Sequence, residues 1–346
     1  MSLEPSSSRI AVVGTGVIGA SWAAYFLAKG FDVAATDPAD GAEKRLRALV
    51  DGFWPALESM GLVEGASRSR LRFDPEIMRA VAGCAFIQEN GPERVDVKRD
   101  LLAKISAAVP SDSLIATSSS GILISDIQDA AAYPQRVLLG HPFNPPHLIP
   151  LVEVVGGRQT SEDAIKKALT FYESIGKKPI HIRREVKGHV ANRLQAALWR
   201  EAFHLVEQGI ASVEDVDTAI AQGPGLRWAL LGPFLNLHLS GGAGGIAHVL
   251  EHLGPPMESW WHDLGNPILN EEVNGVIARG VAEELRGAGF AHLAHHRDDL
   301  LLALLQLKAD ADRPTSSDLT SFAVSDPVQG ARLYPSDKEA RPMTGE

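Results

Sequence analysis

The sequence predicts an α/β protein: a Rossmann-type, doubly wound, mostly parallel sheet followed by an all-helical C-terminal domain. Three observations predict it. Short apolar runs alternate with helical patterns over the first half of the chain, the first run ends in a glycine-rich turn, and strand-like runs stop after Arg184. Such alternation marks a parallel sheet covered on both faces, because each crossover helix lays its apolar stripe on the sheet.

The elements follow in order. Ile10 to Val13 is an apolar strand leading into Gly14. Val17 to Lys29 is helical and stops at Gly30. Phe31 to Thr36 is a second strand, ending at Asp37. Strand, glycine turn, helix and strand within about 30 residues is the size of one βαβ unit. Glu43 to Met60 is helical, with Pro55 expected to kink or break it. Cys84 to Ile87 is an apolar strand, followed by a charged helix through Lys98 and Lys104. Leu114 to Ala116, Val137 to Leu139 and Leu151 to Val155 are further strands, Ser161 to Ile175 is a helix, and Pro179 to Ile182 is the last strand. Val190 to Gln208 then opens a run of helices, expected to break at Gly223-Pro224-Gly225, at Gly241 to Gly245 and at Gly254-Pro255-Pro256. The expected domains are residues 1–186 for the sheet, 187–312 for an all-helical domain, and 313–346 for a flexible tail mixing Pro, Ser, Asp and Thr.

Composition narrows the function. The 346 residues carry a net charge of −10, which argues against non-specific binding to a nucleic-acid backbone. Cys84 is the single cysteine, so an intrachain disulfide and a thiolate metal cluster are excluded. No apolar run reaches the ~18 residues of a membrane span, and MSLEPSSSRI lacks the apolar core of a signal peptide. The expected compartment is the cytoplasm, with neither nucleic acid nor membrane as partner.

Gly14-Thr-Gly16-Val17-Ile18-Gly19 fits the dinucleotide fingerprint. Gly14 permits the tight turn, Gly16 lets a pyrophosphate approach the backbone, and Gly19 lets helix and strand pack closely. The helix that follows offers amide donors and a favourable dipole to phosphates. Asp37 stands 21 residues after Gly16, at the end of the second strand, where a carboxylate accepts hydrogen bonds from the ribose hydroxyls of NAD and repels the extra phosphate of NADP. The cofactor expected is NAD.

Downstream, His141 and Glu153 lie 12 residues apart. An imidazole titrates near neutrality, and a carboxylate can fix its tautomer and stabilise its protonated form. Paired with a hydride-accepting cofactor, this is the equipment of an alcohol dehydrogenase.

At these residues the chain resembles the L-3-hydroxyacyl-CoA dehydrogenase superfamily, from residue 9 to about 310. The resemblance rests on the fingerprint and on Glu93-Arg-Val-Asp-Val-Lys98, Ser118-Ser-Ser120-Gly, His141-Pro-Phe-Asn144-Pro with Glu153, and His189-Val-Ala-Asn192-Arg193-Leu, in the family's order and spacing. It implies His141 as catalytic base, Glu153 as its orienting partner, and Ser120 and Asn192 as donors to the substrate oxygen, Asn192 coming from the helical domain. It also implies Glu93 and Lys98 around the cofactor's ribose and nicotinamide, and Asn144 lining the substrate pocket. Where the acyl-CoA enzymes carry a different Pro-containing segment, this chain has Gly223-Pro-Gly225-Leu-Arg227-Trp228-Ala-Leu-Leu-Gly232-Pro-Phe234. That segment resembles the branch of lambda-crystallin, L-gulonate 3-dehydrogenase and L-carnitine dehydrogenase, which implies a free 3-hydroxy acid as substrate. Arg227 is the expected ligand of its carboxylate, since a guanidinium binds a carboxylate through two parallel hydrogen bonds.

The function expected from sequence is therefore NAD-dependent oxidation of the 3-hydroxyl of a small hydroxy acid. L-Gulonate comes first, L-carnitine second, a 3-hydroxyacyl-CoA third, and a crystallin-like structural role is kept as the contrasting class. The resemblance also implies a homodimer. His248 and His252 are read as surface polar residues rather than metal ligands, and Trp260-Trp261 as packing or a dimer contact rather than an aromatic box.

Overall fold

A computed structural model describes residues 8–311. The expected flexible tail, 313–346, lies outside the described residues. The described chain divides into two compact units. One runs up to Trp199 and includes Asp298–Leu302; the other holds Arg200–Arg297 and the described residues from Ala303.

The first unit contains an eight-stranded sheet. In chain order it comprises β1 (Arg9–Val13), α1 (Val17–Ala28), β2 (Asp32–Thr36), α2 (Ala42–Met60), β3 (Leu71–Phe73), α3 (Ile77–Val81), β4 (Phe86–Glu89), α4 (Val95–Ala108), β5 (Leu114–Thr117), β6 (Val137–Pro142), β7 (Leu151–Gly156), α5 (Glu162–Ser174) and β8 (Lys178–Ile182), and it includes the start of α6 (Ala191–Glu207). The strand order is β3-β2-β1-β4-β5-β6-β7-β8. All neighbours pair in parallel except β6 and β7. The order reverses between β1 and β4, the crevice where open α/β sheets bind ligands.

Alternating side chains build the core on both faces. Ile10, Val12, Phe86 and Leu138 point into one layer with Trp22 and Phe26 of α1, Leu46, Val50 and Trp54 of α2, and Phe171 and Tyr172 of α5. Ala11, Val13, Ile87 and Ile115 point into the other, against Leu102 and Ile105 of α4. A layer of stacked and edge-on rings, Trp22 on Phe26 at 5.1 Å and Phe86 on Phe171 at 4.2 Å, fills the first.

The sheet-bearing unit departs from the sequence expectation in two places. α2 continues unbroken through Pro55. Proline removes one helical hydrogen bond and costs about 3 kcal/mol, but buried Leu46, Val50 and Trp54 before it and Leu57 after it hold both halves on the same face. β3 and α3, too short to show a period, had no counterpart in the sequence reading.

The second unit is helical. After the rest of α6 come α7 (Val213–Ala221), α8 (Pro224–Leu230), α9 (Pro233–Ser240), α10 (Gly245–Asp263), α11 (Glu271–Leu285) and α12 (Phe290–Ala311), whose residues 298–302 belong to the first unit. Ser212 and Asp215 form a reciprocal capping box at the start of α7, and Asn270 caps α11. The expected break at Gly254-Pro255-Pro256 is absent, for both prolines lie within α10. No helix of the described residues is long and apolar enough to cross a membrane.

Candidate active site

The 12-residue spacing of His141 and Glu153 has a simple structural origin. β6 and β7 are antiparallel, and these two residues are directly opposed partners in the ladder. Opposed side chains share one face of a sheet at close range, and Nδ1 of His141 lies 2.9 Å from Oε2 of Glu153. Glu153 is fully buried and His141 is 7% exposed. The second carboxylate oxygen, Oε1, accepts the backbone N–H groups of Val190 and Ala191, each at 2.9 Å. One carboxylate therefore orients the imidazole and caps the start of α6. Burial alone pushes the Glu153 carboxyl up, but the hydrogen bonds from His141, Ala191 and Val190 outweigh it and hold it below the ordinary range. An ionised Glu153 takes the Nδ1–H of His141, leaving the Nε2 lone pair as the basic site.

His141 lies in a cleft of about 390 Å³ with Ile18, Ser118, Ser120, Asn144, Asn192 and Gln195 among its lining residues. Ser120, Asn144 and Asn192, all expected from the sequence, are thus brought together with His141. Asn192 sits in the first turn of α6 and belongs to the sheet-bearing unit rather than to the helical one, because Glu153 ties that helix start to β7. Gln195, one turn further along α6, was not anticipated; its three-residue spacing from Asn192 was the available signal.

His189, which opens one of the sequence motifs but was given no role there, also lies at the site. It is 2% exposed, its ring centroid is 5.2 Å from that of His141, and its Nε2 is 3.2 Å from the Ser119 carbonyl. Nε2 therefore carries the proton, and the buried Nδ1 has no partner among the described residues. Its φ of 51° is a left-handed conformation uncommon outside glycine and asparagine. Burial, the largest influence, keeps its pKa below the ordinary histidine value.

Glu93 and Lys98 serve the adjoining turn. Oε1 of Glu93 accepts the Ser119 hydroxyl at 2.6 Å and the backbone N–H groups of Ser120, Gly121 and Ile122 at 3.1, 2.8 and 3.2 Å. Burial raises its pKa, but these bonds and the nearby Lys98 ammonium bring it below the ordinary value. Lys98 is 1% exposed and pairs with Glu89, itself fully buried, at 2.9 Å, while Glu93 stands at 3.8 Å. Glu89, at the end of β4, also takes the hydroxyl of Thr117 at 2.5 Å. The sequence reading passed over Glu89 because no periodicity distinguishes it. These side chains set the Ser118–Ile122 turn that carries Ser120.

The glycine turn fits a dinucleotide. Gly14 has φ +84°, and a Cβ there would stand 2.7 Å from the Asn90 carbonyl oxygen. A Cβ on Gly19 would stand 1.9 Å from the carbonyl of Gly14, whereas one on Gly16 would meet nothing within 4 Å. The first and third glycines are thus required by the protein's own packing, and the second leaves open space where α1 begins with Val17 and Ile18. Asp37 closes the next strand; its Oδ2 accepts the Thr15 N–H at 2.8 Å and its Oδ1 accepts that of Ala39 at 3.0 Å. A cleft of about 680 Å³ bounded by Gly14, Asp37, Ile77, Met78 and Leu101 lies beside it.

Of the predicted site residues only Arg227 lies in the helical unit, exposed on α8. Among the described residues no carboxylate lies within salt-bridge distance of it. Its carbonyl, with those of Leu231 and Gly232, accepts from the Asn236 amide. No group of three metal-binding side chains occurs among the described residues. Burial pushes the Cys84 thiol up to about 11, which suits an inert core residue.

Comparison with known proteins bears on this geometry. Residues 9–186 match the NAD binding domain of 3-hydroxyacyl-CoA dehydrogenase, and residues 188–272 match its C-terminal domain. An L-carnitine dehydrogenase of Streptomyces coelicolor is 50% identical over 306 residues, covering 88% of this chain and 96% of that protein. One from Pseudomonas aeruginosa is 48% identical over 305 residues, covering 88% and 95%. Among solved structures, 5-formyl-3-hydroxy-2-methylpyridine 4-carboxylic acid 5-dehydrogenase, an NAD+-dependent dismutase, superposes with a TM-score of 0.75 at 29% identity, covering 87% of this chain and 98% of that one.

Proposed function

The chain belongs to the 3-hydroxyacyl-CoA dehydrogenase family, and we propose that within this family of NAD-dependent oxidoreductases it is an L-carnitine 3-dehydrogenase. The observation that carries the substrate assignment is the near full-length similarity to L-carnitine dehydrogenases at about half identity. It favours carnitine over L-gulonate, which the sequence by itself put first.

NAD, when bound, accepts the hydride that leaves the carbinol carbon. Neutral His141 takes the hydroxyl proton at Nε2, and Glu153 stabilises the resulting imidazolium through Nδ1. Ser120 and Asn192 donate to the oxygen while it carries partial negative charge; such donors contribute about 3–4 kcal/mol to a transition state. Asn144 helps to shape the pocket. Gly16 with the amides of Val17 and Ile18 would face the pyrophosphate, Gly14 and Gly19 would shape that turn through their close packing, Asp37 would take the ribose, and Glu93 with Lys98 would order the turn beside the nicotinamide. Arg227, with no carboxylate within salt-bridge distance among the described residues, takes the substrate carboxylate. We assign nucleotide binding to residues 1–186, and recognition of the acid together with homodimer formation to residues 187–312.

The test is a set of initial rates of NADH formation on L-carnitine, L-gulonate, L-3-hydroxybutyrate and L-3-hydroxybutyryl-CoA, with His141→Gln beside the native protein. A preference for L-carnitine with an inactive variant is the expected result. Turnover of the CoA ester alone would overturn the role given to Arg227, and turnover of L-gulonate alone would restore the first sequence reading.

A further inference from the structure

Lys177 takes no part in the chemistry above, yet it is the most deeply buried cation without an acid partner among the described residues. It is 3% exposed, between α5 and β8. Burial first, and the like charge of Lys29 second, push its pKa well below the ordinary lysine value. Burying an ammonium in this way is costly unless other groups solvate it. Here they do: Nζ donates to the carbonyls of Pro146 and Ile149, the latter at 3.1 Å, and lies 3.7 Å from the ring centre of Tyr25 and 5.2 Å from that of Trp22.

Both carbonyls belong to the segment 143–150 that joins His141 on β6 to Glu153 on β7. Phe143 and Asn144 of this segment line the substrate cleft. The same segment is held at a second point. The Ser21 hydroxyl accepts the His147 backbone N–H at 2.7 Å and lies 2.8 Å from its Nδ1, while Phe53 of α2 stacks on the ring at 4.3 Å. Ser21, Trp22 and Tyr25 are all on α1, whose N-terminus carries the glycine turn.

We infer that Lys177 is a positioning residue which, together with the Ser21–His147 joint, fixes the 143–150 segment to the body of α1, so that one helix sets both the cofactor site and the wall of the substrate cleft. Lys177 acts through Phe143 and Asn144 and does not touch reacting atoms. The inference rests on the dehydrogenase activity of the family and not on carnitine as substrate.

The test compares native protein with Lys177→Met, which keeps the apolar stem and removes the donor. Three quantities are read: hydrogen exchange at the His147, Leu148 and Ile149 amides, the dissociation constant of NADH from fluorescence titration, and KM and kcat for whichever hydroxy acid the native enzyme oxidises best. The expected result is faster exchange at those amides, KM raised roughly ten- to a hundredfold, as loss of substrate positioning allows, and NADH affinity within about twofold of native, a change of less than about 0.5 kcal/mol. Unchanged exchange overturns the inference, as does faster exchange with KM and kcat unaltered. An equal loss of NADH affinity also overturns it, by placing the effect on the cofactor helix. If Lys177→Met does not fold, Ser21→Ala decides: it deletes one hydroxyl from the second joint, and native exchange and KM in that variant refute the arrangement. The exchange readout needs no substrate, so it stands whichever acid is turned over.

Discussion

The two units of this protein treat charge and apolar surface in opposite ways. In the sheet-bearing unit, the central strands and α1 are almost fully buried, and Glu89, Lys98, Glu153 and Lys177 are buried with their partners around them. In the helical unit, α7, α8 and α9 have no buried residue, and Phe234, Ile268 and Phe290 are 76%, 74% and 87% exposed. A buried ion is retained only where geometry compensates its desolvation, so the first unit is built to hold charged groups at fixed distances. Large exposed apolar faces mark surfaces that meet something else. The contrast predicts that substitutions in the first unit act on turnover and fold, and those in the second on recognition and assembly.

The strongest challenge to that contrast is His141→Gln. Loss of a general base typically costs about 10²–10⁴-fold in rate, so kcat/KM falls by that factor while the melting temperature stays near native; measurable turnover within tenfold of native would break the assignment. Next is Lys98→Met, which leaves Glu89 buried without its ammonium. Removing one partner of a buried pair costs about 3–5 kcal/mol, read as a lowered unfolding midpoint in urea, and adding Glu89→Gln should recover most of it. A single variant as stable as native would mean that the pair is not the structural element described here.

In the helical unit, Arg227→Met should raise KM for the acid about ten- to a hundredfold, the loss of hydrogen bonds to a charged group, with KM for NAD unchanged. An unaltered KM for the acid would remove Arg227 from the site. Acid stability gives a subtler test of the first unit. Glu153 and Glu93 have folded pKa values below the ordinary carboxylate value of 4.5, so their stabilisation is complete above pH 4.5 and is lost as pH falls through the folded values. His189, held below 6.5, is protonated more readily in the unfolded chain, so stability already declines as pH drops from 6.5 toward its folded value. His189→Asn, which tolerates the positive φ, should flatten the melting temperature against pH in that higher window only. The smallest effect expected is on assembly: Phe234→Asp should shift the sedimentation of the proposed homodimer toward monomer, with kcat altered least of all.

How much of this was legible beforehand depends on distance along the chain. The βαβ unit, the fingerprint and Asp37 are local patterns, and the His141–Glu153 pair shows as two chemically matched residues 12 apart because an antiparallel ladder opposes them across a single connection. His189 and Glu89 were given no role because contacts that place them reach far along the chain: His189 meets the Ser119 carbonyl across 70 residues, and Thr117 reaches Glu89 across 28. Pro55, Pro255 and Pro256 looked like helix breaks because the cost of proline is local and readable, whereas the packing that offsets it at Pro55 is not.

The sequence by itself determined the fold class, the cofactor and the family, since periodicity, glycine spacing and motif order are properties of the linear chain. Only the tertiary structure decided that Asn192 stands in the sheet-bearing unit, that Glu153 holds α6 as well as His141, and that buried Lys177 donates to the segment between His141 and Glu153. Each of these depends on which side chains meet after the sheet has closed, and on what burial then does to their charge.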